Sequence, residues 1–575
     1  MAKIGKLKIS LLILLNVCAF SRPVQAETSI YVFGSDQSTV VKTGGFAGVH
    51  ETYAVTGQFR LTVNLDSRIA SFEIVDANLT DDTVLEYGQS LNEIFNMTEL
   101  AGTVVNYMTI EFEGKTADGT ESDVSLSLKL IIKDDSVHLT GKTTPPPNSA
   151  DMFIYDVNAV ATKKYEGGAG EPNDPYQIAT AEDLIALGET PADYDKHFIL
   201  TADIDLDPNL PGRKVFDRAV IAPDTNDVTD SFAFEGIPFT GIFDGNGCTI
   251  SRLTIIGESY LGLFGRCGLW DAPAGEVKYL NMVDVNIVGT GGCVGAVTGS
   301  NGGSVTRCFS TGTVVGGGAY VGGLVGINVW PGVVTCCYST ATIRGNDHVG
   351  GLAGSNGNLV MNCYSTCAVT AVGENAGGLV GWNRGDVTDC YSRSVVSGGS
   401  NVGGLVGMNT YNVIRCYCTG AVSGSSYVGG LVGRSAGWGK PAIPVFTTAS
   451  LWDTDTSGQP GSDGGMGKTT AEMQMLKTFL EAGWDFVGET ENGIEDIWSI
   501  CEGTNYPRFV WQIPVVDFVC PDGITVDDFS FFMEHWLDDN CDLSNGYCQG
   551  TDLDQSGTVD VIDLEIFFEN WLAEL

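Results

Sequence analysis

A mainly β chain is predicted, in which an antiparallel β domain leads into a β-solenoid of about 27-residue coils and a small α-helical domain follows at the C-terminus. Three observations carry this. Between residues 27 and 160 apolar residues alternate with period two, as in Phe59, Leu61, Val63 and Leu65 and again in Leu126, Leu128 and Leu130. The hexapeptide VGGLVG begins at Val321, Val402 and Val428, with variants beginning at Val349 and Ala376, so that the steps are 28, 27, 26 and 26 residues. Near the C-terminus, two segments 35 residues apart place apolar residues at helical spacing.

The charge narrows the range of partners before any motif is considered. The chain has 575 residues with 30 Lys or Arg against 71 Asp or Glu, a formal charge of −41. Nucleic acid and anionic membrane are poor partners for such a surface, because phosphate binding needs clustered cations. The 5 histidines are scattered without HxH or HExxH spacing, which leaves no ligand set for zinc hydrolase chemistry.

Lys3, Lys6 and Lys8 precede an apolar run from Ile9 to Phe20, and Val24-Gln25-Ala26 provides small residues for cleavage, so 1–26 reads as a signal peptide. The run is too short for a membrane anchor, which needs about 20 residues, and no transmembrane segment follows. The expected location is extracellular or at the cell surface. Residues 27–160 form the antiparallel β domain, which ends near Pro145-Pro146-Pro147, and Gly167-Gly168-Ala169-Gly170 marks the boundary before the next unit.

The repeat over 277–440 carries a second register, Cys308, Cys337, Cys363, Cys390 and Cys416, each followed by an aromatic residue: Phe309, Tyr338, Tyr364, Tyr391 or Tyr417. Val314, Ile343, Val369, Val396 and Val422 stand six residues beyond each cysteine. Strand parity puts the cysteine, the small residues at +2 and +4 and the aliphatic residue at +6 on one face, expected to be the interior. The aromatic residues at +1 then point outward, and Tyr338, Tyr364, Tyr391 and Tyr417 are expected to form an exposed stripe able to bind sugar rings. The alternative is that they only cover the coil edges. Asn301, Asn328, Asn356, Asn383 and Asn409 read as an asparagine ladder at a turn. Parallel stacking favours free thiols over bridges in the cysteine column.

With GGLVG-x-N followed by C-Y-S-T, this region resembles the GLUG-repeat family. Upstream, Asp174-Pro175-Tyr176-Gln177-Ile178, a capped helix from Thr180 to Leu187 and Phe243-Asp244-Gly245-Asn246-Gly247 resemble the opening coils of exported right-handed β-helix proteins, which gives 165–276 that role. Residues 441–512 resemble the segment that closes such solenoids. The resemblance implies extracellular surface proteins, some of them adhesins, without implying one chemistry.

At the C-terminus, Asp552, Asp554, Ser556, Asp560 and Asp563 occupy loop positions 1, 3, 5, 9 and 12, Gly557 stands at position 6 and Thr558 offers a carbonyl at position 7. This oxygen-only pattern suits Ca2+. Leu564, Phe567, Phe568, Trp571 and Leu572 follow on one helical face, and Phe529, Phe532, Met533, Trp536 and Leu537 form the earlier copy. The pair over 513–575 resembles a dockerin, which implies a cohesin-like or other cell-surface protein as partner. In the first loop Val519 and Pro521 replace ligands, so calcium is expected only in the second, with Cys520, Cys541 and Cys548 available for a disulfide in compensation.

Two further motifs are decoys. Gly464-Gly465-Met466-Gly467-Lys468-Thr469-Thr470 looks like a phosphate loop but follows Thr456-Ser457-Gly458-Gln459-Pro460 instead of a buried strand. Gly433-Arg434-Ser435-Ala436-Gly437 matches a nucleophile elbow, yet Ser435 merely takes the ladder position of Asn409 one coil on. No catalytic residue is assigned. The rival to a recognition or adhesion protein with polysaccharide partners is a polysaccharide lyase or glycoside hydrolase. Its best acid cluster would be Asp386 and Asp389 with Arg384, and Asp347 with His348 on the coil before last.

Overall fold

The computed structural model describes side chains over residues 164–225, 233–270, 274–437, 445–520, 523–542 and 545–572, and strand backbone alone over 9–12, 27–33, 39–44, 49–64, 69–79, 106–114, 124–133, 136–144 and 153–163. Apart from the strand backbone Ile9–Leu12, the expected signal peptide over 1–26 lies outside the described residues. Two compact units are present: residues 1–205 with 240–250, and residues 206–239 with 251–575.

In the first unit the strands before residue 164 pair antiparallel. Val49–Asn64 lies between Glu27–Phe33 and Ile69–Leu79, while Asn106–Gly114, Val124–Lys133, Ser136–Thr144 and Phe153–Lys163 pair in succession. The chain then turns to parallel pairing, with Tyr176–Ile178 beside His197–Leu200 and that strand beside Ile242–Asp244. The expected helix spans Ala181–Gly188. Thr180 and Asp183 close a capping box at its start, and Leu184 and Leu187 are buried.

The second unit contains the β-solenoid. One face stacks seven parallel strands, Phe264–Cys267, Thr298–Asn301, Val325–Asn328, Ala353–Asn356, Val380–Asn383, Val406–Asn409 and Val432–Ser435, giving about six coils. A second face stacks short strands such as Ser304–Thr306, Val333–Thr335 and Leu359–Met361. The third carries the tyrosines and the aliphatic column. Equivalent residues pair in register, so each sequence column becomes a physical row along the stack.

The glycines explain why the hexapeptide recurs. A Cβ on Gly322, Gly350, Gly377, Gly403 or Gly429 would lie 2.1, 2.0, 1.9, 2.0 or 2.0 Å from the carbonyl oxygen three residues on. The next glycine in the motif is blocked from the neighbouring coil, as at Gly351, where a Cβ would lie 2.0 Å from the Gly378 oxygen. Around these contacts the apolar residues of the units fill the interior, with Ala353 and Ala376 in place of a valine in two of them; Val321, Leu324 and Val325 are fully buried.

The expected interior is observed. All five column cysteines are buried and unbridged, and the sulfurs of Cys337, Cys363 and Cys390 each accept the backbone N–H of the preceding column cysteine, at 3.4, 3.4 and 3.5 Å. Burial pushes the thiols of Cys308, Cys337 and Cys390 upward, which keeps them protonated and inert. Ser310, Ser339, Ser365 and Ser392 are buried two residues beyond the cysteines, and Val314, Ile343, Val369 and Val396 at +6. The asparagine ladder also forms, each Nδ2 donating to the next Oδ1 at 2.8, 2.8, 3.0 and 2.9 Å from Asn301 to Asn409. A buried amide column is tolerable only when every member is paired in this way.

Changing Gly377 to Ala is expected to cost at least about 2 kcal/mol, because the clash is with backbone that cannot rotate away. Gly461→Ala, where an added Cβ meets nothing within 4 Å, should leave the thermal midpoint unchanged.

Candidate functional site

The aromatic column stacks as one continuous row. Ring centroids from Phe309 through Tyr338, Tyr364 and Tyr391 to Tyr417 are 4.8, 4.6, 4.9 and 4.9 Å apart, with planes within 12° of parallel. The row faces out from the coil, as parity requires, but it is not the exposed stripe that was expected. Tyr391 and Tyr417 retain only 2% and 0% exposure.

The reason is that the segment after the repeats folds back over them. Phe479, Trp484, Phe486, Trp498 and Phe509 form one buried cluster with Tyr391 and Tyr417. The Tyr417 hydroxyl donates to the Pro507 carbonyl at 2.6 Å, and Tyr391 exchanges hydrogen bonds with the Gln512 amide. Tyr338 and Tyr364 remain half-buried, with the Trp511 ring 6.5 and 6.0 Å away. Of the four tyrosines expected to bind ligand, only these two keep an accessible edge.

The acidic cluster weighed for catalysis does not converge on one site. Asp389 is buried and pairs with Arg415, whose Nε lies 2.6 Å away. Asp386 accepts from Asn412 at 2.7 Å, and Asp347 accepts the Glu374 N–H at 2.7 Å. His348 and Arg384 belong to a different grouping, on the edge where each VGGLVG segment begins. The His348 ring lies between those of Tyr320 and Trp382, at 5.0 and 4.9 Å, and the Arg384 guanidinium sits 4.6 Å over Trp382.

Sequence reasoning missed Tyr320 and Trp382, and it grouped His348 and Arg384 with the wrong neighbours. The available signal was a variable column inside a constant repeat: the residue before each motif is Tyr320, His348, Asn375, Asn401 or Tyr427. All five adopt a left-handed backbone, with φ of 68, 55, 65, 54 and 51°. This turns the chain sharply at each corner, where Tyr427 is exposed, Tyr320 and His348 are half-buried, and Asn375 and Asn401 are buried.

In the C-terminal loop the carboxylates of Asp552, Asp554 and Asp563 come within 4.8 Å of one another, the only such group of three or more metal-ligating residues among those described. Asp552 and Asp563 are buried, 2% and 0% exposed. Burial raises the Asp552 carboxyl above its usual range, although N–H groups of Ser556 and Gly557 donate to it and oppose the rise, and the Asp563 charge adds to it. Two buried acids beside a third, with no nitrogen or sulfur donor, suit a hard cation. Ser556, Thr558 and Asp560 make local bonds: the Ser556 hydroxyl donates to the Thr558 carbonyl, and Asp560 accepts the Ile562 N–H.

The first loop keeps the same backbone grip and the acids at its two ends, Asp517 and Asp528, but has Val519 where the second has Asp554. Asp528 accepts from Phe518 and Val519 at 2.7 and 3.0 Å, as Asp563, 35 residues on, accepts from Leu553 and Asp554 at 2.6 and 3.0 Å. A disulfide joins Cys541 to Cys548, while Cys520 is tied back to Cys501. Helices Val526–Glu534 and Val561–Glu574 meet through buried Phe532 and Phe567. Met533 on the first and Leu537 in the turn just beyond it, with their counterparts Phe568 and Leu572 on the second, stay exposed.

No protein-family model matches the chain. The GLUG-repeat and dockerin resemblances therefore stand on the motifs themselves. Halomucin of Haloquadratum walsbyi is 34% identical over 201 residues, a stretch covering 34% of this chain and 2% of Halomucin. The solved structure of an IgA1 Protease aligns at 12% identity and a TM-score of 0.28, covering 74% of this chain and 27% of that one; a likeness this low fixes neither fold nor function. Among the described residues no helix is long and apolar enough to cross a membrane.

Burial along the tyrosine row makes its two ends energetically different. Tyr417→Ala should cost about 3–5 kcal/mol in thermal or denaturant unfolding, whereas Tyr338→Ala, at the half-open end, should cost well under half of that.

Proposed function

We propose that this chain is a secreted or cell-surface recognition protein in which a rigid β-solenoid presents side-chain rows to a glycan or surface partner and the C-terminal pair of helices tethers it through a calcium-dependent contact. The observation that carries this reading is the in-register stack itself. It repeats outward-facing side chains at a fixed rise of about 4.8 Å, a geometry matched to an extended repeating ligand. The β-helix fold and the local similarity to Halomucin fit a surface role. The exposed pairs Met533 with Leu537 and Phe568 with Leu572 supply apolar anchors for a cohesin-like or other cell-surface protein.

Calcium in the 552–563 loop belongs to this proposal. Asp552, Asp554 and Asp563 would hold the ion, with Ser556, Asp560 and the Thr558 carbonyl available to complete its oxygen shell. The bound cation would offset the repulsion between the buried carboxylates. The residues on the loop would do the rest: backbone N–H groups fix the acids, and Asp563 ties the loop to the first turn of its helix through the Asp560 N–H at 2.8 Å.

Calorimetry on the full chain is expected to show calcium binding at one site, with affinity at least about tenfold weaker in Asp563→Asn. Loss of calcium should also lower the unfolding temperature of the C-terminal transition. Absence of binding in the unaltered chain would remove the tether from the proposal. Fractionation of the native cells provides the separate test of location: the protein should be found outside or on the cells and be released by a calcium chelator, and recovery in the cytosol would overturn the surface reading.

A further inference from the structure

The buried half of the tyrosine row cannot meet a ligand, but the edge where the motifs begin can. Tyr320, His348 and Trp382 come from three successive coils and stack as one half-buried aromatic ledge. Glycines make this approach possible. A Cβ on Gly354 would lie 2.5 Å from the Tyr320 carbonyl carbon, and one on Gly381 would lie 2.6 Å from that of His348. Asn375 holds the His348 ring through Nδ1 at 2.7 Å and is held in turn by Asn401 Nδ2 at 2.7 Å, both amides being buried. The ledge is thus fixed from behind before any ligand arrives.

Arg384 gives the ledge its charge. Its guanidinium lies over Trp382, its Nη2 reaches only the Ser355 hydroxyl at 3.4 Å, and its buried Nε has no hydrogen-bond partner. No ion pair forms at Arg384 among the described residues. In a chain of formal charge −41, an arginine without a carboxylate partner has a donor to offer an incoming anion. The neighbouring acid, Asp347, is engaged by the Glu374 N–H and by Asn346 Nδ2 at 3.0 Å. Burial lowers the His348 pKa, so its ring serves as a neutral flat surface.

A second arginine–aromatic contact lies further along, with the arginine now in the column of Trp382 and the aromatic ring in the column of His348. Trp382 is in register with Met408 and Met408 with Arg434, which lies 4.8 Å over the exposed ring of Tyr427. Two arginine–aromatic pairs therefore stand two coils apart, about 9.6 Å along the stack, which is the reach of a disaccharide unit.

We propose that the ledge of Tyr320, His348 and Trp382, with Arg384 above it, binds an acidic saccharide, the rings stacking on sugar faces and Arg384 pairing with a sugar carboxylate. This rests on the surface-recognition reading and names its ligand class. The experiment is calorimetry of the full chain with a hexamer of galacturonic acid and with neutral cellohexaose. The acidic hexamer should bind more tightly than the neutral one, and Arg384→Gln and Trp382→Ala should each weaken it by about tenfold or more with unchanged unfolding temperature. If Trp382→Ala perturbs folding, Arg384→Gln alone decides. Equal binding of the acidic hexamer by the unaltered chain and by Arg384→Gln would overturn the proposal. So would no binding at millimolar hexamer, while the location experiment would still judge the surface reading independently.

Discussion

The second residue of each VGGLVG unit must lack a side chain, because its Cα faces a carbonyl oxygen of the same coil at a distance that leaves no room for one carbon atom. Everything else in the solenoid is arranged around that contact. With the coil pinched at this point, the flanking valines and leucine reach the interior, and the next coil settles in register on top. Register in turn makes each interior column chemically uniform. Asparagine meets asparagine and serine meets serine at hydrogen-bonding distance, as between Ser310 and Ser339 at 3.0 Å. Polar groups that would each cost one or more kcal/mol if left unpaired in a core are satisfied by their own repeats.

Uniformity inside leaves variation outside, and recognition can only be built where columns differ. The tyrosine column is nearly constant, and the protein uses its far half as a docking strip for its own closing segment. The column before each motif varies from Tyr320 to His348 to Asn375, and there the stack produces a ledge with an unneutralised arginine. The two aromatic surfaces therefore divide the work between cohesion and contact with a partner.

The interior was legible because strand parity and repeat spacing determine it locally: Cys337, Ser339 and Ile343 follow from counting in twos, and the Asn301–Asn409 ladder from counting repeats. The covering of Tyr391 and Tyr417 was not legible. It depends on Gln512, 121 residues after Tyr391, and on Pro507, 90 residues after Tyr417, in a segment with no periodicity to reveal where it docks. The ledge was missed for a related reason: Tyr320 and Trp382 sit at different offsets in their repeats and are joined only through the His348 ring between them, at a left-handed corner. In the C-terminal loop the spacing located Asp552, Asp554 and Asp563 together. The backbone grip of Asp528 in the first loop, which holds the turn together with Asp517 although Val519 replaces the acid between them, had no visible signature.

The most direct measurement of this account is cysteine labelling read by peptide mapping, since the stacked interior column is what the pinched coils create. Native protein exposed to an alkylating reagent should leave Cys308, Cys337, Cys363, Cys390 and Cys416 unmodified, and all five should label fully after denaturation without reductant. Labelling in the native state, or disulfides among these five after denaturation, would contradict the register on which the solenoid and its outward rows depend.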